Sequence, residues 1–171
     1  MGTIMIEESI KGTKIAIEYL ADHPHFLPTV AAWQQAEFGY LTPAATFEDR
    51  TERLRRSLQH DALPMAFIAL SGTGTLLGSA GILAATITHK HLTPWLSSVY
   101  VPDEHRGQGI ASVLSMRAID EAARLGFDRL YLFTPRSETM YARLGWRTFE
   151  RIEYNGTPLA LMERNVSSQL P

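Results

Sequence analysis

The chain has 171 residues and a mass of 19.1 kDa, the usual size of one compact domain, so we expect a single domain over residues 1–171. Hydrophobic residues make up 45% and charged residues 20% of it, a composition that argues against a disordered, collagenous or membrane-embedded protein. The formal net charge of −2 argues against the basic field with which proteins bind nucleic acid or anionic lipid.

The first half of the chain shows both strand and helix patterns. A capping box at Thr46 begins an arginine-rich segment, which predicts a helix. A glycine-rich turn around Gly72 and Gly74 separates two apolar runs, which predicts a β-hairpin. The predicted strands of this half are residues 14–20, 64–70 and 76–86, and the predicted helices are residues 27–38 and the segment after Thr46.

The second half contains the clearest helix pattern. Apolar residues recur at helical spacing from Gly109 to Leu125, and Gly126 ends the pattern. The pair Asn155-Gly156 predicts a tight hairpin. The alternation of strands and helices, with a β-helix-β crossover in this half, predicts a mixed-sheet α/β domain. The other predicted elements are strands at residues 95–101, 130–133, 146–153 and 159–164, a short helix at residues 137–144 and a frayed tail at residues 166–171.

Residues 98–112 run from a predicted strand through a tight polar loop into the long helix. Gly107 and Gly109 allow backbone amides to approach an anion, and the start of the helix offers unpaired N–H groups and a positive dipole end. A Walker loop is excluded because no Gly-Lys-Ser/Thr is present, and the dinucleotide fingerprint fails because the third glycine is missing. A phosphate site remains, with a helix start that only caps well as the structural alternative.

The loop has the arrangement Arg-x-x-Gly-x-Ala preceded by Val-x-Val-Pro, and in this it resembles the GCN5-related N-acetyltransferases, the GNAT superfamily. The resemblance implies an α/β GNAT fold, with a mixed, mostly antiparallel central sheet flanked by helices. It also implies acetyl-CoA as cosubstrate and an oxyanion-binding N–H on the strand near Val99 or Tyr100. From the residues themselves we expect no metal. The residues that it places in the coenzyme site are Val99, Tyr100, Val101, Arg106, Gly107, Gln108, Gly109, Ile110, Ala111 and Thr134.

A second stretch, Met-Tyr-Ala-Arg-Leu-Gly-Trp at residues 140–146, resembles the family's Tyr-x-x-Leu-Gly-Phe signature. The resemblance implies that Tyr141 lies beside the coenzyme sulfur and is the general acid. A phenol has a pKa of about 10 in water. Once the phenol is held in place, it can donate a proton or a hydrogen bond to a departing thiolate. The structural alternative is a core aromatic on an amphipathic helix.

The sequence also departs from the family pattern. Thr134 is followed by Pro135 where many members carry an asparagine that contacts pantetheine, and Arg129 stands where some members carry a glutamate base. No base is assigned by motif. His89, His91 and a water relay to Glu138 are the candidates with suitable chemistry, and a metal at the His-x-His pair is disfavoured because no further ligands lie nearby in sequence.

A narrower similarity, at residues 20–24, Leu63-Pro64 and Leu77-Gly78, is to the branch that contains the actin amino-terminal acetyltransferase. It implies a peptide terminus, including an acidic one, met by Arg136 or by arginines of the second helix. The same fold acetylates small amines, so the predicted acceptor is a primary amine on a peptide or a small molecule. A catalytically idle acyl-CoA-binding sensor or interaction module is the alternative function.

The absence of cysteine rules out disulfides, thiolate zinc sites and an acyl-cysteine intermediate, so we expect direct attack in a ternary complex. Residues 1–14 lack the basic flank and apolar stretch of a signal peptide, and no apolar run reaches the roughly 20 residues of a membrane span. We therefore expect a cytoplasmic protein, a monomer or homodimer, with no membrane or nucleic-acid partner.

Overall fold

The structure is a computed structural model that describes residues 6–10 and 13–167. Within these residues, eight strands form one sheet and four α-helices flank it. The strands are β1 (Ile6–Ile10), β2 (Thr13–Tyr19), β3 (Met65–Ser71), β4 (Leu76–Leu83), β5 (Trp95–Tyr100), β6 (Arg129–Thr134), β7 (Arg147–Tyr154) and β8 (Thr157–Asn165). The helices are α1 (Leu27–Phe38), α2 (Phe47–Arg55), α3 (Ile110–Arg124) and α4 (Glu138–Arg143).

The sheet has the strand order β1-β2-β3-β4-β5-β6-β8-β7. Every neighbouring pair is antiparallel except β5 and β6, which are parallel and joined through α3. A parallel pair needs a crossover of this kind, since its connection must return to the starting end of the sheet. The mixed, mostly antiparallel sheet predicted from the sequence is therefore confirmed.

Strand β5 carries a β-bulge in its pairing with β4. Ser79 and Gly81 of β4 face Tyr100 and Ser97 of β5, so β5 carries one residue more than its partner at this point. That residue, Ser98, has a φ of 55°, a left-handed conformation that is strained for serine. On its other side β5 pairs with β6 at Trp95 alone in the described residues, so the ladder between these two strands ends before the bulge and a gap opens in the middle of the sheet.

Helix α3 packs across one face of the sheet and begins where β5 ends. The helix starts tight against β4, because a Cβ on Gly78 would lie 2.8 Å from the carbonyl oxygen of Tyr100 and 3.3 Å from Cγ2 of Ile110. The glycine thus fixes the position of the first turn of α3 relative to the gap. The apolar residues that α3 buries are Ile110, Val113, Leu114, Ala118, Ile119 and Ala122.

Helices α1 and α2 cover the other face. Val30 of α1, Leu54 of α2 and Ile68 of β3 belong to a second buried cluster. The α2 helix begins with the predicted capping box, in which Thr46 and Asp49 exchange hydrogen bonds of 2.9 and 3.0 Å. The gap between β5 and β6 therefore lies between α3 on one face and the α1–α2 pair on the other.

Most element boundaries agree with the sequence prediction, with three differences. The predicted strand 76–86 ends at Leu83, and β1 was not predicted. The predicted tail is wrong at Val166, which is buried and donates a backbone hydrogen bond of 2.9 Å to Asp128. Residues 168–171 of the tail, and residues 1–5, 11 and 12 near the amino terminus, lie outside the described residues. Among the helices that the structure describes, none is long and apolar enough to cross a bilayer.

Candidate active site

A cavity of about 830 Å³ lies at the gap between β5 and β6. Its walls come from both strands, from α1, α2 and α4, and from the loop that leads into α3. The residues of the predicted site that line it are Val99, Tyr100, Val101, Arg106, Ala111, Thr134 and Tyr141. Gly107, Gln108, Gly109 and Ile110, at the centre of the predicted phosphate loop, are not among the residues that line it. The cavity thus brings the two ends of that loop, at Arg106 and Ala111, together with Tyr141.

The facing edges of β5 and β6 have main-chain groups available for a ligand. In the described part of the chain, the two strands share a single register pair, Trp95 with Tyr131. Past this pair, the N–H and C=O groups that face the gap have no ladder partner, and buried groups of this kind must be satisfied by something. A linear ligand with amide groups can bond to such an edge as an added strand does.

The loop before α3 has the geometry of an anion site. Gly107 and Gly109 have φ values of 78° and 80°, so both positions need the left-handed conformation that glycine adopts without strain. No side chain caps α3 at Gly109, and helix geometry leaves the amides of its first turn without an intrahelical acceptor. Gln108 lies half-buried in this turn, and Ile110 points its side chain into the core, so Ile110 can offer only its amide.

Arg106 holds this loop against the end of β5. Its Nε donates to the carbonyl oxygen of Val101 at 2.8 Å, and its NH1 pairs with Asp103 at 2.7 Å. The guanidinium lies 5.9 Å from the ring centroid of Tyr100, at the edge of cation–π range. The side chain is about half exposed, so its charge remains available to a ligand in the cavity.

Tyr141 lies on α4 with 6% of its surface exposed. Burial raises the pKa of Tyr141 to about 12, and the nearby Ser115 hydroxyl opposes the shift. Its ring packs edge-on against Trp146, with centroids 5.9 Å apart. The phenol is therefore protonated at neutral pH, and it borders the cavity as a hydrogen-bond donor.

Thr134 lines the cavity, but its hydroxyl has partners elsewhere. The Oγ1 atom accepts hydrogen bonds from the backbone amides of Arg136 and Ser137, at 3.3 and 2.9 Å. The hydroxyl thus stabilises the turn before α4. Its placement as a coenzyme contact stays a prediction.

The base candidates named from the sequence lie away from the cavity. His89 pairs with Glu150 at 2.8 Å, and the ring of His91 lies 5.6 Å from that of His89. Glu138 is bound by Arg151 and Thr148, and these hydrogen bonds lower its pKa and make it a poorer proton acceptor. None of the three candidates is among the residues that line the cavity, although Glu138 lies one helical turn before Tyr141 on α4.

Sequence reasoning named Arg106, Arg136 and the arginines of the second helix, but it missed the carboxylate of Glu37, which also lines the cavity. Within the described residues, Glu37 of α1 is its one carboxylate, and it lies 3.8 Å from Arg136. Arg50, Arg53 and Arg56 line the wall that α2 contributes. The spacing of three between these arginines is a signal that the sequence contained, since it places them on one face of a helix. No signal in the sequence connects Glu37 to β5.

A metal site is not visible in this region. Among the residues that the structure describes, no group of three or more histidine and acidic side chains is arranged to hold a metal ion. The sequence-based prediction of a metal-free site stays a prediction.

Comparison with known proteins identifies the family. The model of the acetyltransferase (GNAT) family matches residues 27–146, which include the loop before α3 and the Tyr141 motif. This chain belongs to the GNAT family. The family resemblance and the GNAT fold predicted from the sequence are thus confirmed, and the predicted enzyme class, an N-acetyltransferase, is the class that this family contains.

Individual acetyltransferases resemble this GNAT chain in sequence or in structure. The Escherichia coli (strain K12) protein named "Uncharacterized N-acetyltransferase YjgM" is 30% identical over 93 residues, which are 52% of this chain and 53% of that protein. The match therefore spans about half the length of that curated relative. A GNAT-family protein of Bordetella pertussis has a similar structure, with a TM-score of 0.69 and 17% identity over 94% of this chain and 99% of its own.

A third comparison is with the spermidine/spermine N-acetyltransferase SpeG from Vibrio cholerae. Its TM-score is 0.66 at 18% identity, over 89% of this chain and 92% of that one. At such identities the two solved structures show a shared fold.

Proposed function

We propose that this chain is an N-acetyltransferase that moves the acetyl group of acetyl-CoA to a primary amine by direct attack in a ternary complex. The observation that carries the proposal is the single cavity that is lined by the opened edges of β5 and β6, by Tyr141, and by Arg106 and Ala111 on either side of the uncapped start of α3. Each of these features matches one part of the donor: its amide-containing arm, its diphosphate and its sulfur.

The diphosphate binds at the loop before α3. Amides of the first helical turn point at the anion, and the dipole of the helix adds favourable charge. Arg106 supplies a guanidinium beside the same loop. The pantetheine arm then runs into the gap, where its amides bond to the unpaired edges of the two strands.

The reaction forms a C–N bond between the amine and the thioester carbonyl carbon, and then breaks the C–S bond. The products are an acetylated amine and free coenzyme A, so one proton leaves the nitrogen and one reaches the sulfur. Tyr141 donates to the departing sulfur, and backbone N–H groups of β5 near Val99 and Tyr100 stabilise the oxyanion. The rate gain comes from orientation and from these preorganised donors.

The proton on the amine needs an acceptor. Glu37 is the carboxylate that the described residues bring to the cavity, and we assign it this role in place of His89, His91 and Glu138. The alternative function, an idle acyl-CoA-binding module, rested on the missing glutamate at Arg129. Because Glu37 supplies a carboxylate for the same role, it weighs against that alternative.

The test is steady-state kinetics of wild type and Tyr141→Phe with acetyl-CoA and a panel of amines, read by thiol release. We expect Tyr141→Phe to lower kcat about 100-fold, the low end of what a positioned acid contributes. Its KM for acetyl-CoA should stay nearly unchanged, since the phenol acts in the transition state.

Tyr131→Phe is the matched control. Tyr131 lies in β6 but packs into the separate cluster around Trp95, away from the cavity, so its kcat should equal that of wild type. Unchanged turnover in Tyr141→Phe would refute the acid assignment. A wild-type protein that binds acetyl-CoA but acetylates no amine would favour the binding module.

A further inference from the structure

The wall that α2 contributes to the cavity carries more positive charge than the composition predicts. The protein has a net charge of −2, yet within its described residues five arginines and a single carboxylate, Glu37, line the cavity. Arg106 accompanies the loop before α3. The other four lie on α2, at its C-cap and before α4, and they are Arg50, Arg53, Arg56 and Arg136.

The spacing on α2 concentrates this charge. Arg50, Arg53 and Arg56 follow one another at intervals of three, so they share one face of the helix. Like charges at this spacing repel and weaken a helix. Within residues 6–10 and 13–167, neither Arg53 nor Arg56 forms a salt bridge. The acid that interacts with Arg53 is Asp49, whose pKa is lowered by hydrogen bonds with Thr46 and further by the arginine.

Arg55, in contrast, is an ordinary solvated arginine. It lies off that face, pairs with Glu52 at 3.2 Å and does not line the cavity. The sequence alone does not distinguish it from its neighbours, because the helix as a whole looks like a charged, solvated surface. The fold separates the two kinds of arginine, and only one kind faces the cavity.

Arg50 is the arginine of this wall whose surroundings most clearly lack an anion. Its side chain is buried, with 8% of the residue exposed, yet its hydrogen-bond partners are neutral: Nε donates to Gln35 at 2.9 Å and NH2 donates to Thr42 at 3.1 Å. Burial lowers the pKa of Arg50, and the charge of Arg53 lowers it further. A buried guanidinium without an anion is costly, so this wall lacks a counter-charge that a bound molecule can supply.

We propose that the amine acceptor carries an anionic group, a carboxylate or a phosphorus oxyacid, and that Arg50, Arg53 and Arg56 bind this group while the amine reaches the thioester. The inference rests on the proposed acetyl transfer and names its substrate class. Guanidinium groups suit both kinds of anion, since their fork of donors matches two oxygens at once. A polyamine such as spermidine is repelled by the same wall.

The first experiment compares matched amines in the thiol-release assay. Tyrosine, tyrosinamide and tyramine share one ring, and only tyrosine has a carboxylate. The amine of tyrosinamide has a lower pKa than the amine of tyrosine, and the amine of tyramine has a higher one. A preference for tyrosine over both compounds therefore reflects its carboxylate and not the basicity of its amine. Glutamate, a peptide that begins with Asp-Glu, and spermidine complete the panel. The first two distinguish a free amino acid from an acidic peptide terminus.

The second experiment reverses single charges on α2. We expect Arg53→Glu and Arg56→Glu each to lower kcat/KM for the preferred acidic amine about tenfold, roughly the effect of losing one partly desolvated charge contact. The KM for acetyl-CoA should stay unchanged. The double variant should accept spermidine better than wild type does. Arg55→Glu is the control on the same helix, and it should behave as wild type.

Four outcomes would overturn the inference. Tyramine or spermidine could have a higher kcat/KM than every acidic amine, while acetyl transfer itself proceeds. The two variants could raise the KM for acetyl-CoA, which would place these arginines at the donor. Arg55→Glu could have the same effect as the cavity variants, which would indicate a general field. Acetylation of no amine at all would refute the proposed function and the inference together.

Discussion

Tyr141 is a weaker acid in this fold than tyrosine in water, because burial raises its pKa to about 12. A free thiol has a pKa of about 8.5, so full proton transfer from this phenol to a thiolate is unfavourable. In the proposed reaction the phenol therefore acts first as a hydrogen-bond donor to the sulfur, in a cavity where water screens the interaction less than in bulk solvent. The same burial keeps the proton on oxygen well above neutral pH.

This shift also makes stability depend on alkaline pH. The pKa of Tyr141 is raised from 10.0 to about 12. The neutral phenol therefore contributes fully to the free energy of unfolding below about pH 10, and this contribution is lost as the pH rises towards about 12. Two pKa units correspond to roughly 3 kcal/mol. We expect the free energy of unfolding, measured in urea at about pH 9 and about pH 11.5, to fall less in Tyr141→Phe than in wild type, because phenylalanine cannot ionise. An equal fall in both proteins would contradict the buried, neutral phenol.

At the scale of elements, the site depends on how β5 gives way to α3. Strand β5 leaves its pairing with β6 after Trp95 and carries a bulge at Ser98. Gly78 lets α3 start close to β4, and Gly109 begins the helix without a side-chain cap. Each of these features has a local cost, since a left-handed serine is strained and an uncapped helix loses a hydrogen bond. Together they leave main-chain donors facing one cavity, which is what binding of an anionic, amide-containing ligand needs.

Gly109→Trp tests the start of α3. We expect the indole to fill the space through which a phosphate approaches the amides, so that calorimetry detects no acetyl-CoA binding. Gly126→Trp is the matched control, because Gly126 lies at the other end of α3 with a φ of 92°, close to the 80° of Gly109, and so imposes similar backbone strain. Both variants should unfold at similar temperatures. Tight acetyl-CoA binding by Gly109→Trp would refute the phosphate site.

For the whole molecule, the sequence predicted the architecture well because its signals are local. The period of α3, the capping box at Thr46 and the Asn155-Gly156 turn each reflect contacts within a few residues, and all three are present in the structure. β1 was missed, as was the burial of Val166, which depends on a hydrogen bond to Asp128 that no local pattern encodes.

Only those parts of the site that belong to local motifs could be predicted from the sequence. Its loop and Tyr141 belong to motifs, and the structure places both at one cavity. No base was assigned from the sequence; His89, His91 and Glu138 were named as candidates from chemistry alone, and none of the three lines the cavity. Glu37 and Arg50 reach the cavity only because α1 and α2 pack on the face opposite to α3, and that is a property of the assembled fold.

A buried ion network fixes α3 to the sheet and so to the rest of the molecule. Glu121 accepts hydrogen bonds from Tyr19 at 2.8 Å and from Arg117 at 3.2 Å. Arg117 in turn donates to the carbonyl oxygen of Ile17 at 2.6 Å and lies 4.8 Å from the ring centroid of Tyr19. These contacts join α3 to β2, on residues about 100 positions apart.

Glu121→Gln tests how much this network stabilises the fold. The variant leaves the guanidinium of Arg117, 1% exposed, without its anion, so we expect the free energy of unfolding in urea to fall by about 3 kcal/mol. Glu52→Gln removes the exposed pair with Arg55 and should cost less than about 1 kcal/mol. The double variant Arg117→Met/Glu121→Leu should recover part of the loss, because apolar side chains replace the buried ion pair but leave Tyr19 and Arg124 without the acceptor that Glu121 provides. If Glu121→Gln is no more destabilising than Glu52→Gln, the network does not hold α3 in place, and the packing of its apolar face suffices.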